Sequence, residues 1–295
     1  TRMAFASALL ALKDAGIPLV KRYAQTSTGS FLPEEWELPL EMQEDTGIVF
    51  ASAFPGTNNL IDELTNYFTA KFSKAGKEEK QKLYDQLKEK VKGTDAEAEL
   101  DSWFESVRSE PESTYDFPRL FMFEVLAMGH SQFAQYIKAK GPNTQVNSAC
   151  ASSTLAVSIA QDWIQMGRCK RVIVLGADDP ASDTMIEWFG SSLLAMGALT
   201  PEKDVTQAAL PFDRRRKGMI IGSGAAALIV EAEEEPRRRG IHPIVEVLGS
   251  HIANSAFHGS RLDIAHIARS MDHFITCIEK EWSIDRYEIA PDMIF

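Results

Sequence analysis

The chain has 295 residues, of which 44% are hydrophobic and 25% are charged, and its formal net charge is −11. This composition is that of an ordinary globular protein with room for one large domain or two small ones. The acidic balance argues against a nucleic-acid-binding protein, because phosphate binding needs clustered positive charge. Two short basic runs, at 214–217 and 237–239, fit a solvated surface.

The cysteines are Cys150, Cys169 and Cys277, and they form neither a CxxC pair nor a Cys/His cluster. We therefore predict no metal site and no cofactor, and we expect reduced thiols of the kind found in the cytoplasm. No apolar run approaches the length of a membrane span, and the N-terminal residues lack the pattern of a signal peptide. No association with a membrane is predicted.

The first half of the chain alternates apolar and charged segments. Residues 3–17 have the apolar spacing of an amphipathic helix, and residues 46–56 predict a buried strand that runs into a turn. Residues 69–109 are highly charged with helical spacing and a break near Gly93, which predicts an exposed helical insertion supported by i,i+4 charge pairs. Residues 118–137 predict one mostly buried helix opened by a proline.

The second half predicts more strands. Residues 171–179 are nearly all apolar, as expected for a strand that is covered on both faces. Further strands are predicted within 218–232 and 243–255, a helix at 263–282, and the start of another strand at 290–295. Strands that alternate with helices predict an α/β protein with a largely parallel or mixed sheet.

One cysteine lies where a short strand meets a helix, in the stretch "VNSACASSTLAVSIAQDW". Cys150 stands between Ala149 and Ala151, which leave room for a substrate, and the helix starts directly after it. The first turn of a helix carries unpaired N–H groups and the positive end of the dipole, which favour a nucleophilic thiolate. Free cysteines also pack in protein cores. The spacing alone leaves both roles open for Cys150, whereas Cys169 and Cys277 are interpreted as structural.

Four segments in this order resemble the β-ketoacyl synthases of fatty-acid and polyketide assembly, which have the thiolase-like fold. The segments are "GPNTQVNSACASS", "VIVLGADD", "FGSSLLAMGALT" and "PFDRRRKGMIIGSGAAALIVE". The resemblance implies a layered α/β/α fold. It identifies residues 1–295 as an incomplete, N-terminal part of a ketosynthase domain that carries the helical insertion.

The resemblance also implies an activity and a set of partners. Cys150 would be the nucleophile of an acyltransferase that takes an acyl group from an acyl carrier protein or acyl-CoA and condenses it with a malonyl-type thioester. Phe54 and Phe189 would line the acyl pocket, although core packing also explains a phenylalanine. The family forms homodimers, in which residues around Leu120 would approach the partner's pocket. Asp213 and Arg216 would brace a loop beside the site.

The sequence departs from the family pattern in three places. Asn147 stands where many members have aspartate, Met219 follows Gly218 where phenylalanine is usual, and the helical insertion is long. The family's two catalytic histidines lie in contexts that none of the histidines here matches. These are His130, His242, His251, His258, His266 and His273. We therefore interpret them as structural, and expect the chain by itself not to catalyse condensation.

Three other functions remain open. A thiolase or another acyl-CoA condensing enzyme would use a similar cysteine without a malonyl extender, but "PFDRRRKG" favours the synthase. A non-catalytic subunit resembling a chain-length factor would usually lack the cysteine, which this chain keeps as Cys150. An inert scaffold fragment is the third possibility.

Overall fold

The structure, a computed structural model, describes residues 2–109, 114–126, 128–257 and 261–292. The strands are β1 (Val20–Gln25), β2 (Phe31–Glu37), β3 (Thr46–Ala51), β4 (Asn143–Val146), β5 (Arg171–Asp178) and β6 (Gly224–Glu231). The first helices are α1 (Arg2–Asp14), α2 (Leu40–Gln43), α3 (Thr57–Val91), α4 (Ala96–Ser109), α5 (Phe121–Val125), α6 (Gly129–Ile137) and α7 (Ser152–Gln165). The later helices are α8 (Asp183–Met185), α9 (Ser191–Ala195), α10 (Val205–Ala208), α11 (Glu234–Arg239), α12 (Ile264–Trp282) and α13 (Arg286–Ile289). A π-helical turn, Ile186–Gly190, lies between α8 and α9, and a 3-10 turn, Ala290–Asp292, follows α13.

The chain divides into two compact units. The sheet unit comprises Thr1–Ala53, Met128–Asp179 and Ser223–Phe295. The hairpin unit comprises Phe54–Ala127 and Pro180–Gly222. None of the described helices combines the length and the apolar character that crossing a bilayer requires.

A mixed four-stranded sheet organises the sheet unit, with the strand order β4-β3-β5-β6. β3 is parallel to both β4 and β5, whereas β6 runs antiparallel to β5. All six residues of β3 and the first five of β5 are buried, as expected for strands that are covered on both faces. The α/β class and the mixed sheet that the sequence predicts are confirmed.

The core lies on both faces of this sheet. Ile48 and Phe50 of β3 pack in one cluster with apolar residues of α1 and α6. Val49 and Ala51 pack in a second cluster with residues of α7. Successive residues of a strand point to opposite faces, so the apolar run of β3 serves both clusters. The result is a layer of helices on each side of the sheet.

A glycine allows two strands to approach closely where β4 begins. A Cβ added to Gly141 would lie 2.5 Å from the carbonyl oxygen of Thr46, the residue at which β3 begins. We expect Gly141→Ala to lower the free energy of unfolding by about 2 kcal/mol, because the backbone must shift. Gly76→Ala is the control, since apart from its neighbours and the nearby backbone of α3 no atom lies within 4 Å of a Cβ added to this glycine. Urea denaturation of the full chain measures both, and equal midpoints would contradict the expectation.

The hairpin unit contains two helices, α3 and α4, that form an antiparallel pair. The 35 residues of α3 have only Ala70 buried, and the turn after it passes through Gly93 with a φ of 74°. Tyr84 stacks on Phe104 with ring centroids 4.1 Å apart, and Lys88 pairs with Asp101 at 2.6 Å. The sequence predicts this exposed pair and its break correctly. Its first helix begins earlier than expected, at Thr57.

The single helix predicted for residues 118–137 is wrong. The structure has two helices there, α5 and α6, and α5 has no buried residue. α6 begins at Gly129, where a Cβ would lie 2.5 Å from the ring of Phe50. The close contact with β3 fixes this start, and it depends on a residue far away in the sequence.

Three strand predictions also need correction. Within 218–232 only Gly224–Glu231 is a strand, and its first residues alternate between exposed and half-buried because β6 lies at the edge of the sheet. Residues 243–255 contain no strand. Residues 290–292 form a 3-10 turn instead of a strand, and 293–295 lie outside the described residues.

The antiparallel strand pair of β1 and β2 is not predicted from the sequence. Most of its residues are exposed, so it lacks the alternation of apolar and polar residues that predicts a half-buried strand. Pro33 lies within β2, and a proline argues against a strand when the sequence is considered alone. Lys21 lies over the ring of Trp36, its cross-strand partner.

Candidate active site

Cys150 lies in a tight turn between the end of a strand and the start of a helix. β4 ends at Val146, and α7 begins at Ser152. The Cys150 side chain is exposed, whereas Cys169 is buried, and burial raises the pKa of the Cys169 thiol. The turn therefore presents a thiol beside the amino end of a 14-residue helix, as the sequence predicts.

The backbone of this turn is constrained immediately before the cysteine. Ala149 has a φ of 47°, in the left-handed region that costs an L-residue about 1–2 kcal/mol. The buried Ser152 hydroxyl donates to the Ala149 carbonyl at 2.6 Å and accepts from the Ser148 N–H at 2.8 Å. These hydrogen bonds hold the strained residue between the strand and the helix.

A second set of hydrogen bonds joins the ends of three strands. Asn147 donates from Nδ2 to the Ala53 carbonyl at 3.1 Å, and its Oδ1 accepts from the Ala149 N–H at 3.1 Å. Asp178, the last residue of β5, accepts from the Ala53 N–H at 2.9 Å and from the Ser52 hydroxyl at 2.7 Å. Ligands of open α/β sheets bind outside the carboxyl ends of the strands, and Cys150 follows such an end.

Neither Asn147 nor Asp178 is assigned a role from the sequence alone. The sequence indicates only that Asn147 follows a short strand and that Asp178 stands at the end of an apolar one. Their common partner, Ala53, is 94 residues from Asn147 and 125 residues from Asp178. The pairing depends on the fold and could not be predicted from local spacing.

The predicted pocket residues lie in the hairpin unit, whereas Cys150 lies in the sheet unit. Phe54 and Phe189 contact each other edge to face, with ring centroids 4.4 Å apart. Leu120 directly precedes α5 and is 53% exposed. The phenylalanine contact is compatible with an acyl pocket and with plain packing, so the role of all three residues remains a prediction.

A polar cleft in the hairpin unit contains none of the predicted pocket residues. Its volume is about 300 Å³, and Glu63, Tyr115 and Asp116 contribute to its lining. The Tyr115 hydroxyl donates to Glu63 at 2.9 Å. Burial raises the pKa of Tyr115, so its hydroxyl stays protonated at neutral pH.

The histidines that the structure describes all lie in the sheet unit. His130 is the second residue of α6, and burial lowers its pKa, which favours the neutral imidazole. The His251 and His273 rings lie 5.5 Å apart, and His273 Nε2 is 3.7 Å from the sulfur of Cys277. Cys277 is exposed, so it has no core-packing role of the kind that the sequence suggests. His258 lies outside the described residues.

The loop that contains Asp213 and Arg216 is tied by its own side chains. Asp213 pairs with Arg215 at 2.7 Å, and its carbonyl accepts from Arg216 at 3.1 Å. The hydrogen bond from Arg215 lowers the pKa of the Asp213 carboxyl. Asp213 and Arg216 thus contribute to bonds within this loop, and the expectation from the family resemblance that the loop lies beside the site stays a prediction. Within the described parts of the chain, no three His, Cys, Asp or Glu side chains are grouped to hold a metal ion.

The chain is similar in sequence to several known proteins. Residues 90–236 match the family described as "Beta-ketoacyl synthase, N-terminal domain". The putative polyketide beta-ketoacyl synthase 1 of Streptomyces virginiae is 31% identical over 159 residues, which are 53% of this chain and 37% of that protein. The 3-oxoacyl-[acyl-carrier-protein] synthase 2 of Staphylococcus aureus is 30% identical over 131 residues, 44% of this chain and 32% of the synthase. The chain thus spans about a third of the length of these relatives.

Solved structures give the same fold. The ishigamide ketosynthase/chain length factor has a TM-score of 0.61 at 19% identity, and the match covers 97% of this chain and 53% of that one. A type II polyketide synthase acyl-carrier protein in complex with its ketosynthase bound to the hexaketide has a TM-score of 0.60 at 18% identity, covering 96% and 55%. These likenesses confirm the thiolase-like fold that the sequence predicts.

Proposed function

We propose that Cys150 is the nucleophile of an acyltransferase that elongates acyl chains, because residues 90–236 match the N-terminal domain of β-ketoacyl synthases. The observation that carries the proposal is the exposed thiol in a strained, hydrogen-bonded turn before α7. This turn lies inside the range that matches the family. A nucleophile that forms a covalent intermediate divides one difficult step into two easier ones.

The first step transfers the acyl group to the enzyme. The Cys150 thiolate attacks the carbonyl carbon of an acyl thioester, the carbon–sulfur bond to the carrier breaks, and the carrier leaves as a thiol after taking a proton. The N–H of Cys150 supplies one donor to the oxyanion that forms in this step. Such preorganised donors are worth about 3–4 kcal/mol each in the transition state.

The second step forms the new carbon–carbon bond. A malonyl-type thioester loses CO2, and its carbon–carbon bonding electrons remain on the α-carbon. This carbanion attacks the carbonyl of the Cys150 thioester, and the cysteine leaves again as a thiolate. The product is a β-ketoacyl thioester that is two carbons longer, on the carrier that brought the malonyl group.

The proposed carrier is an acyl carrier protein, with acyl-CoA as the other possible donor. The complex of a carrier protein with its ketosynthase among the structural neighbours supports this choice. Relatives from fatty-acid and polyketide synthesis match about equally well, at 30% and 31% identity, so both pathways remain candidates. A cytoplasmic homodimer is part of the same proposal.

The alternatives predict different reactions. A thiolase-type enzyme would condense two acyl-CoA molecules and would not depend on a malonyl thioester. A non-catalytic subunit like a chain-length factor would leave Cys150 without an acyl group. The likeness to the ishigamide ketosynthase/chain length factor makes this second case worth testing.

Acylation of the three cysteines tests the proposal. We expect an acyl-carrier-protein thioester to modify Cys150 in the full chain, and iodoacetamide added first to block that modification. Cys277 is the internal control because it is also exposed, and Cys169 is the buried control. Peptide mapping by mass spectrometry gives the modified position. Acylation of Cys277 with Cys150 unmodified would contradict the assignment.

A further inference from the structure

We propose that Asn147 is a positioning residue that sets the reactivity of Cys150 by holding Ala149 in its left-handed conformation. The inference rests on the proposed role of Cys150 as nucleophile. It concerns a different residue and a different measurement, so either proposal can fail without the other.

The Asn147 side chain makes two hydrogen bonds of opposite direction. Its Nδ2 donates to the Ala53 carbonyl, and its Oδ1 accepts from the Ala149 N–H, each at 3.1 Å. An amide carries its donor and its acceptor on separate atoms, so it can bond to both groups at once. Asn147 thereby connects the end of β3 to the residue that precedes the cysteine.

The Ala53 end of this connection is itself fixed. Its N–H donates to both carboxylate oxygens of Asp178, at 2.9 and 3.1 Å, and the neighbouring Ser52 hydroxyl donates to the same carboxylate. The Ala53 peptide is therefore held on its N–H side by β5 and on its carbonyl side by Asn147. A fixed acceptor gives the Asn147 amide a defined orientation.

The conformation of Ala149, at the other end of the connection, sets the position of Cys150, the residue that follows it. At a φ of 47°, Ala149 is in a region that L-residues leave unless other contacts hold them there. Its N–H is bonded to Asn147 and its carbonyl to the hydroxyl of Ser152. Both sides of the strained residue are thus fixed, and loss of the Asn147 bonds lets the turn relax and moves the Cys150 sulfur away from the first turn of α7.

Asparagine and aspartate differ sharply in this position. An ionised carboxylate accepts the Ala149 N–H but cannot donate to the Ala53 carbonyl, which it repels. A protonated carboxyl group can do both. Asn147→Asp therefore leaves the shape of the side chain unchanged and makes the connection dependent on pH. The loss of Cys150 reactivity is present above the pKa of the new carboxyl and is reduced below it.

The experiment measures the rate at which each cysteine of the full chain reacts with 4,4′-dithiodipyridine between about pH 3 and pH 8, a range that spans the ordinary pKa of aspartate. We expect Asn147→Asp to slow Cys150 by about fivefold at the alkaline end, the effect of losing about one net hydrogen bond, and the deficit to shrink toward the acidic end. Asn143→Asp is the matched control, because it places the same charge on an exposed residue of β4. Its Cys150 rate should equal that of the unmodified chain.

A second variant separates the hydrogen bonds from the charge. Asn147→Ala should slow Cys150 at every pH, without recovery in acid. Slow reaction of the buried Cys169 shows that each variant is folded. Wild-type rates in both variants would overturn the inference, even if Cys150 remains the acylated residue. A wild-type Cys150 that receives no acyl group would instead contradict the proposed function and leave the rate comparison intact.

Discussion

Replacing Cys150 by alanine is expected to abolish condensation while the protein stays folded. Without the sulfur no acyl-enzyme can form, and removal of a covalent nucleophile lowers kcat by about 10⁴-fold or more. The side chain is exposed, so its loss leaves no cavity in the core. Assays of the complete synthase with acyl and malonyl thioesters on a carrier protein measure the product directly.

Cys277→Ala is the matched control for this experiment. It removes the other exposed cysteine sulfur, which lies on α12 and not in the turn before α7, and it should retain the activity of the unmodified enzyme. Thermal melts of both variants should agree with that of the unmodified protein. A folded Cys150→Ala variant with full activity would place the nucleophile elsewhere and would refute the proposed mechanism.

The largest expected loss of stability comes from Arg171→Met. The Arg171 side chain is 2% exposed and pairs with Glu231 at 3.0 Å and with Glu235 at 2.7 Å. It joins the start of β5 to the end of β6 and to α11. Removal of one partner leaves buried carboxylates with less compensation, which costs about 3–5 kcal/mol. Urea denaturation of the full chain should show this decrease in the free energy of unfolding.

Arg238→Met provides the comparison for that measurement. Arg238 pairs with the same Glu235 at 3.0 Å, but its own side chain is 67% exposed. An exposed ion pair contributes about 1 kcal/mol or less. If the two variants lose equal stability, burial of Arg171 does not determine the effect and the interpretation of this network is wrong.

Sequence patterns predict best those elements whose apolar residues follow one simple rule of burial along the whole element. β5 is apolar because helices cover both of its faces, and α12 has one apolar stripe and an Asp263 cap. β1 and β2 were missed because most of their residues face solvent, so hydrophobic patterning carries no information about them. Residues 243–255 contain apolar residues but no strand, because apolar residues alone do not determine whether a segment pairs with a neighbouring strand.

The candidate site also has a part that the local sequence predicts and a part that depends on the fold. Small residues around Cys150 indicate the turn from local sequence alone, and the structure has that turn. The connection through Asn147 and Asp178 requires the ends of β3, β4 and β5 to meet, which no local pattern encodes. Phe54 and Phe189 were proposed from resemblance, and their mutual contact adds a geometric fact without deciding between a pocket and packing.

The helical pair α3–α4 has a consequence for the order in which the chain folds. Tyr84 bonds to Asp101 across 17 residues, whereas Thr46 of β3 bonds to Arg171 of β5 across 125 residues. Local contacts form fast, and distant strand pairs form slowly because a long loop must close first. During synthesis β3 therefore leaves the ribosome long before β5, to which it pairs. Early formation of α3–α4 makes the segment between β3 and β4 compact. The two strands are then separated by a shorter distance before they pair.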